Sequence, residues 1–266
     1  MTDFTDMVRA HLPSAAADRL IALLRPGIQL SHAKDGDPVV GHLGGSASLP
    51  EGVAWPVSPG MRPLSLAVAL DCARLAGYEV DMSLPGVGTL LFFVEDEGDG
   101  NAVIYVPDGV ATVPATRGAA FPEVPLTART VLTWPEGDQP HLVEAFGGIT
   151  ALYEQVWRHE SQGDEFMVAV GDWERTRHGS RHQVGGHAVV LQSPFEVTAA
   201  YHAGADWSDK KALYSQARDW VLLLQLDEDM EAGMIWGDGA HMIWGIHIDD
   251  LAARDFSKTV FDVQGH

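Results

Sequence analysis

One cysteine, Cys72, stands in a chain of 266 residues, so no disulfide can close within it and no thiolate cluster can hold a metal. Positive charge is scarce as well: 17 Lys and Arg face 37 Asp and Glu, a formal net charge of −20. The acids are spread along the chain, and such a surface repels phosphate backbones and anionic lipid. Nucleic acid and membrane are therefore not expected as partners, whereas a basic protein is one the field would attract. No apolar run approaches the roughly 20 residues of a membrane span. The opening MTDFTDMVRAHLP is acidic and lacks the apolar core of a signal peptide, so cytoplasm is the expected compartment. A Gly-x-Ser-x-Gly elbow, a Walker loop, a Gly-x-Gly-x-x-Gly turn between strand and helix, and His-Glu-x-x-His are all missing. No cofactor is implied.

With 46% hydrophobic and 20% charged residues, the chain has the composition of a folded domain, here read as one spanning 1–266. Phe4, Met7, Val8, His11 and Leu12 fall at helical spacing; Ser14 opens a second helix that RPG at 25–27 ends. Residues 1–35 are thus expected to form a helical cover. Short β-rich runs follow at 64–71, 88–95, 101–107, 128–134, 165–172, 187–192, 219–227, 240–248 and 258–264, with further helices at 149–160 and 208–218. The expected class is α+β, dominated by strands in a mostly antiparallel sheet system.

Three pieces recur in order. GHLGG (41–45) resembles RHQVGG (181–186), PLSLAVALD (63–71) matches DWVLLLQLD (219–227), and GVGTLLFFV (86–94) matches GDGAHMIWG (237–245). The echo predicts an internal duplication: a first pseudo-repeat at 38–107, an intervening segment at 108–180 and a second pseudo-repeat at 181–266. Gly-x-Gly precedes a strand in both halves, with Val87 central in one and Asp238 in the other, so the glycines read as turn formers.

The runs LGGSASLPEGVAWP (43–56), RPLSLAVALD (62–71) and LPGVGTLLFF (84–93), with HQVGGHAVVLQ (182–192), WVLLLQLDEDMEAGMIWGDGAHMIWGI (220–246) and DLAARDFSK (250–258), resemble the YwqG-like proteins, a bacterial family of unknown function. The resemblance covers roughly residues 38 to 264 and implies a duplicated α+β fold without an established reaction. It departs at Ala69, where the family often has Gln; Gln225 is kept in the second half. Some relatives lie near toxin-system genes, which implies an immunity or accessory role.

Aromatic and polar residues make the strongest candidate ligand-binding group: Trp55, His182, Gln192, Gln225, Asp227, Trp236 and Asp238, accompanied by Trp220 and Trp244. Met242, Trp244, Ile246 and Ile248 should share one face of a strand and lie in the core. Histidines give a weaker set. His241 and His247 would be roughly 20 Å apart on a strand, too far for one ion; His178, His182 and His187 are candidates for a loop metal site. Asp96, Asp99 and Asn101 suggest calcium, but their spacing departs from the EF-hand pattern and a hairpin turn explains them equally. Cys72 reads as a buried thiol, and pairs such as Asp227 and Asp229 are common in so acidic a chain. Beside a structural or oligomer-forming domain, two functions follow. One is a cytoplasmic binding or accessory protein, of immunity type, that holds a basic protein or small ligand. The other is a metal-dependent hydrolase with a His/Asp loop site. The pattern leaves catalysis and oligomeric state open.

Overall fold

The computed structural model describes residues 4–95, 100–118, 121–157, 162–176, 182–237 and 239–265. His178, Asp238, and Asp96 and Asp99 of the calcium candidate lie outside the described residues. Strand segments are β1 Arg25–His32, β2 Gly41–Leu43, β3 Ala47–Pro50, β4 Ser65–Asp71, β5 Thr89–Val94, β6 Asn101–Val106, β7 Thr112–Ala115, β8 Val124–Thr133, β9 Gln183–Val184, β10 Trp220–Asp227, β11 His241–His247 and β12 Val260–Gln264. The helices are α1 Phe4–His11, α2 Ser14–Ile21, α3 Cys72–Leu75, α4 Pro140–Ala145, α5 Ile149–Leu152, α6 Gln162–Thr176, α7 Phe195–His202, α8 Lys210–Ala217 and α9 Ile248–Ala253. Strands dominate, in a mostly antiparallel system, and the protein is α+β.

Ten strands form one sheet in the order β12-β11-β10-β9-β1-β8-β2-β4-β5-β6, and β3 pairs with β7 in a separate ribbon. The order is symmetric about the β1–β8 pair: β9, β10, β11 and β12 on one side answer to β2, β4, β5 and β6 on the other. The bulges fall at matching positions. Register slips between Leu66 and Val68 in β4 and between Leu222 and Leu224 in β10, at the same distance ahead of Asp71 and Asp227. Thr89 lies opposite Asp71 and His241 opposite Asp227, so Leu90 answers to Met242 and Phe92 to Trp244. The alignment read from the sequence, which sets Gly86 against Gly237, differs by one residue from this matching by position. Side-chain matching cannot fix a register that only strand pairing defines.

Alternation decides what each strand buries. Ala67, Val68, Leu70, Leu90, Phe92 and Val94 from one half join Leu223, Leu224, Leu226, Met242, Trp244 and Ile246 from the other in a common core. The opposite face of the first half, with Leu66, Ala69, Leu91 and Phe93, packs under the β3–β7 ribbon. Its counterpart in the second half, Leu222 and Ile243, packs under Ala188 and Phe195. Met242, Trp244 and Ile246 are core residues as their alternation predicts. Ile248 is 44% exposed, because the strand ends at His247, whose side chain accepts the Asp249 amide and opens α9.

Three expectations need correction. The helical cover does not extend to residue 35: residues 25–32 form β1, at the centre of the large sheet. The N-terminal helices bury Phe4, Val8, Ala17 and Leu20 against Trp134, Leu142, Leu152, Phe166 and Val170, in a cluster made largely of helices. Residues 165–172 lie in α6, where buried Phe166 and Val170 recur at four-residue spacing and partly buried Trp173 follows three later. Residues 187–192 carry no strand. Their amides instead donate to side chains: Val189 to Gln225 Oε1 at 2.9 Å, Val190 to Glu136 Oε2 at 3.3 Å, and Leu191 and Gln192 to Gln264 Oε1 at 3.0 and 3.3 Å.

Candidate functional site

His182, immediately before β9, is fully buried. The Asp227 N–H donates to its Nδ1 at 3.1 Å, which puts the imidazole proton on Nε2. That nitrogen faces Asp229 Oδ2 at 3.1 Å. His32, at the end of β1, brings its own Nε2 to within 2.6 Å of the same oxygen, and its Nδ1 lies 3.1 Å from Glu231 Oε2. The Ala232 amide donates to Asp229 Oδ1 at 2.9 Å. Burial opposes charge on Asp229, but the bonds from His182, Ala232 and His32 outweigh it and hold this carboxyl well below the usual range.

The three candidate ligand atoms of His32, His182 and Asp229 lie within 4.8 Å of one another, a spacing one divalent ion could bridge. The donor set does not fit. A metal-bound imidazole turns its second N–H toward an acceptor, whereas His182 Nδ1 faces an amide donor. A neutral ring cannot accept that bond and also offer a lone pair from Nε2. In this geometry the cluster is a hydrogen-bonded staple between the central strand, the start of β9 and the turn after β10.

Other residues singled out from the sequence fall into separate places. Gln225, 1% exposed, holds the Val189 amide and sits 3.0 Å through Nε2 from His241 Nδ1; His241 Nδ1 is 3.7 Å from Asp227 Oδ1. His182, Gln225 and Asp227 are thus brought together around the β9–β10 junction. Gln192 donates to the Gly265 carbonyl at 2.8 Å, beyond that junction. Trp236 is partly exposed, with its ring 5.8 Å from that of Phe121 and its amide donating to Glu228. Trp55 donates to the Leu64 carbonyl at 2.8 Å and packs edge-on against Phe93 in the other half. Trp220 and Trp244 are buried. His187 bonds through Nε2 to the Leu23 carbonyl at 2.8 Å, and burial, aided by Arg25, depresses it to about 3. Burial also pushes the Cys72 thiol up to about 11, so it is no thiolate at neutral pH.

A cleft of about 500 Å³ opens over the outer face of the first half, lined by His42 of β2, Ala69 and Asp71 of β4, Leu91 of β5, and Asp108 beyond β6. Such a volume suits a small ligand or a side chain. His42 Nδ1 donates to the Gly44 carbonyl at 2.9 Å, so the neutral ring has an accepting lone pair at Nε2. Asp71 Oδ1 caps α3 through the Ala73 and Arg74 amides, and its Oδ2 is 3.3 Å from Arg74 Nε. Ser46, Ser48, Thr89 and Thr112 add hydroxyl groups, and among the described residues no Lys or Arg lines the cleft. The wall therefore offers acceptors and negative charge.

The second half treats the equivalent position differently. Gln183 answers to His42 and donates to the Gly185 carbonyl at 2.8 Å, as His42 does to Gly44. Gln225 answers to Ala69, and its amide group ties down residue 189 where the first half is open. The Phe195 ring fills the space beside Gly245, only 2.4 Å from where a Cβ would stand. Sequence reasoning singled out neither His32 nor His42 as a site residue. His42 was visible within GHLGG, but nothing local marks a cleft that sheet and ribbon residues line together.

The chain is a strand-dominated α+β domain with this paired strand order and these two polar centres. It belongs to the family described as "Domain of unknown function (DUF1963)", whose model matches residues 41–265. No curated protein matches the chain. Among the described residues no helix is long and apolar enough to cross a membrane.

Proposed function

We propose that the protein is a cytoplasmic binding module, of the accessory or immunity type that its YwqG-like resemblance implies, and that it recognises a cationic group in the cleft over Ala69. One observation carries this reading: two corresponding sheet faces are treated unequally. Residues 188–195 fill the second by main-chain bonds to Gln225 and Gln264 and by the ring of Phe195, whereas the first retains a cleft of about 500 Å³. Asp108 and the His42 Nε2 lone pair, beside an Asp71 carboxylate already shared with Arg74, ask for a donor-rich, positively charged ligand, such as an amine or the Lys or Arg side chain of a basic protein. The net charge of −20 would steer it in.

The reading also takes the symmetric strand order and matching bulges as the mark of two fused half-units, at 38–107 and 181–266, joined through 108–180 within one domain. Duplication followed by filling of one cleft explains why Gln occurs at 225 and Ala at 69.

Titration calorimetry with spermidine at physiological salt tests the proposal. Saturable one-to-one binding that Ala69→Trp removes is expected. Heat that scales with ionic strength alone, without a defined stoichiometry and unchanged by Ala69→Trp, would reduce the interaction to general charge attraction and sink the cleft assignment.

A further inference from the structure

The cleft accounts for one opening in the molecule; a larger one, of about 680 Å³, lies on the other side of the fold between α4, the turn at 147–148, α5 and α8. Its chemistry is the reverse of the cleft's. α8 has two faces. Leu213 and Ala217 are buried against α7 and Trp220, and Lys210, Lys211, Tyr214, Ser215 and Arg218 recur at helical spacing on the side that lines the opening. The facing wall is apolar and small: Val143 from α4, the paired glycines Gly147 and Gly148, then Ile149 and Ala151. Both glycines have positive φ, and a Cβ at either would meet nothing within 4 Å, so this wall stands clear of α8.

Three of the chain's 17 cations therefore border one cavity in a protein with a net charge of −20. Two carboxylates line it as well: Glu144 is paired with Arg218, and exposed Glu154 follows α5, so the two lysines of α8 are the cations left to a ligand. The Lys210 ammonium lies 3.2 Å from the centre of the Trp207 ring. Among the described residues no carboxylate pairs with Lys211. An apolar wall opposite a cationic helix face matches an amphiphile, with its chain along Val143 and Ile149 and its charged end at the α8 lysines.

We infer that this cavity binds a single-chain carboxylate amphiphile, with Lys211 and Lys210 holding the carboxylate and the apolar wall of α4 and α5 holding the alkyl chain. The site is independent of the Ala69 cleft and stands if the cleft assignment fails. Charge-assisted hydrogen bonds to the head group fix orientation, and burial of the chain drives binding.

Equilibrium binding of dodecanoate, dodecanol and dodecyltrimethylammonium to the full chain, kept below micelle formation, tests the inference by head group alone. Saturable one-to-one binding of dodecanoate is expected, with dodecanol weaker by about tenfold or more and the cation weaker still. Lys211→Glu, at an exposed position, should weaken dodecanoate by a similar factor while leaving dodecanol unchanged. Ala151→Trp should remove both, and the thermal midpoint of each variant checks that it is folded. Equal affinity for dodecanoate and dodecanol would overturn the carboxylate assignment; no saturable binding of dodecanoate by the unmodified chain would overturn the site.

Discussion

The rings of Phe92 and Trp244 meet edge to face, with centroids 5.4 Å apart, although β5 and β11 are separated by six strands in the sheet. In a flat sheet those strands would lie about 33 Å apart. Their contact means that the sheet curls until Phe92 and Trp244 touch, each fully buried. This closure shields the inner face, while the outer face packs under the β3–β7 ribbon on one side and under Ala188 and Phe195 on the other. Replacing either ring by Ala should cost about 3–5 kcal/mol. A double-mutant cycle read by urea unfolding should return a coupling of about 0.5–1.5 kcal/mol, whereas strictly additive losses would mean that the halves are held together elsewhere.

Asp229 joins three segments of chain. Asp229→Ala leaves His182 and the Ala232 amide without their acceptor, and a loss of about 3–5 kcal/mol is expected at neutral pH. Its folded carboxyl is held below the unfolded value, so its contribution is present above the unfolded pKa of about 3.9 and fades as pH falls through the folded one. Urea midpoints at pH 7 and pH 3 check this: the gap between unmodified chain and variant should narrow in acid.

Glu196 works in the opposite sense. Burial pushes its carboxyl up to about 7 against the donation from Gln139, and its Oε2 has no partner. A raised carboxyl keeps its proton in the folded chain over a range in which the unfolded chain has lost it. Its contribution to stability therefore declines as pH rises from the unfolded value of about 4.3 toward 7. Glu196→Gln should gain on the unmodified chain between pH 5 and pH 8 by on the order of 1–3 kcal/mol, measured as the change in their stability difference.

Gly186 and Gly147 separate strain from crowding. Both have positive φ, but a Cβ at 186 would stand 2.5 Å from Thr133 Oγ1, while one at 147 meets open space. Thr133 cannot retreat freely, because its hydroxyl donates to the Arg25 carbonyl and accepts the His187 amide. Gly147→Ala should cost about 1 kcal/mol, and Gly186→Ala about 2–4 kcal/mol, in thermal or urea unfolding.

Much of the sheet was legible because β4, β5, β10 and β11 are apolar runs bounded by Gly, Pro and Asp. β1 escaped notice because RPG at 25–27 reads as a helix stop, yet these residues pair with β8 at the sheet centre. FMVAV misled because a short apolar run fits either period, and the deciding partner, Trp134, lies far away in sequence. For the site, His182, Gln225 and Asp227 were visible as polar residues beside strands. His32 joins them only through β1, and the cleft is bounded by residues of β2, β4 and β5 together with Ser48 of β3 and Thr112 of β7. No local pattern encodes that meeting of distant segments.

Imidazole resonances of the full chain, followed by nitrogen-15 NMR as spermidine is added at physiological salt, test the cleft most directly. The account expects the His42 Nε2 signal to move saturably with ligand while those of His182 and His187, locked to Asp229 and the Leu23 carbonyl, stay in place. A silent His42 under saturating ligand, or a response centred on His182, would contradict it.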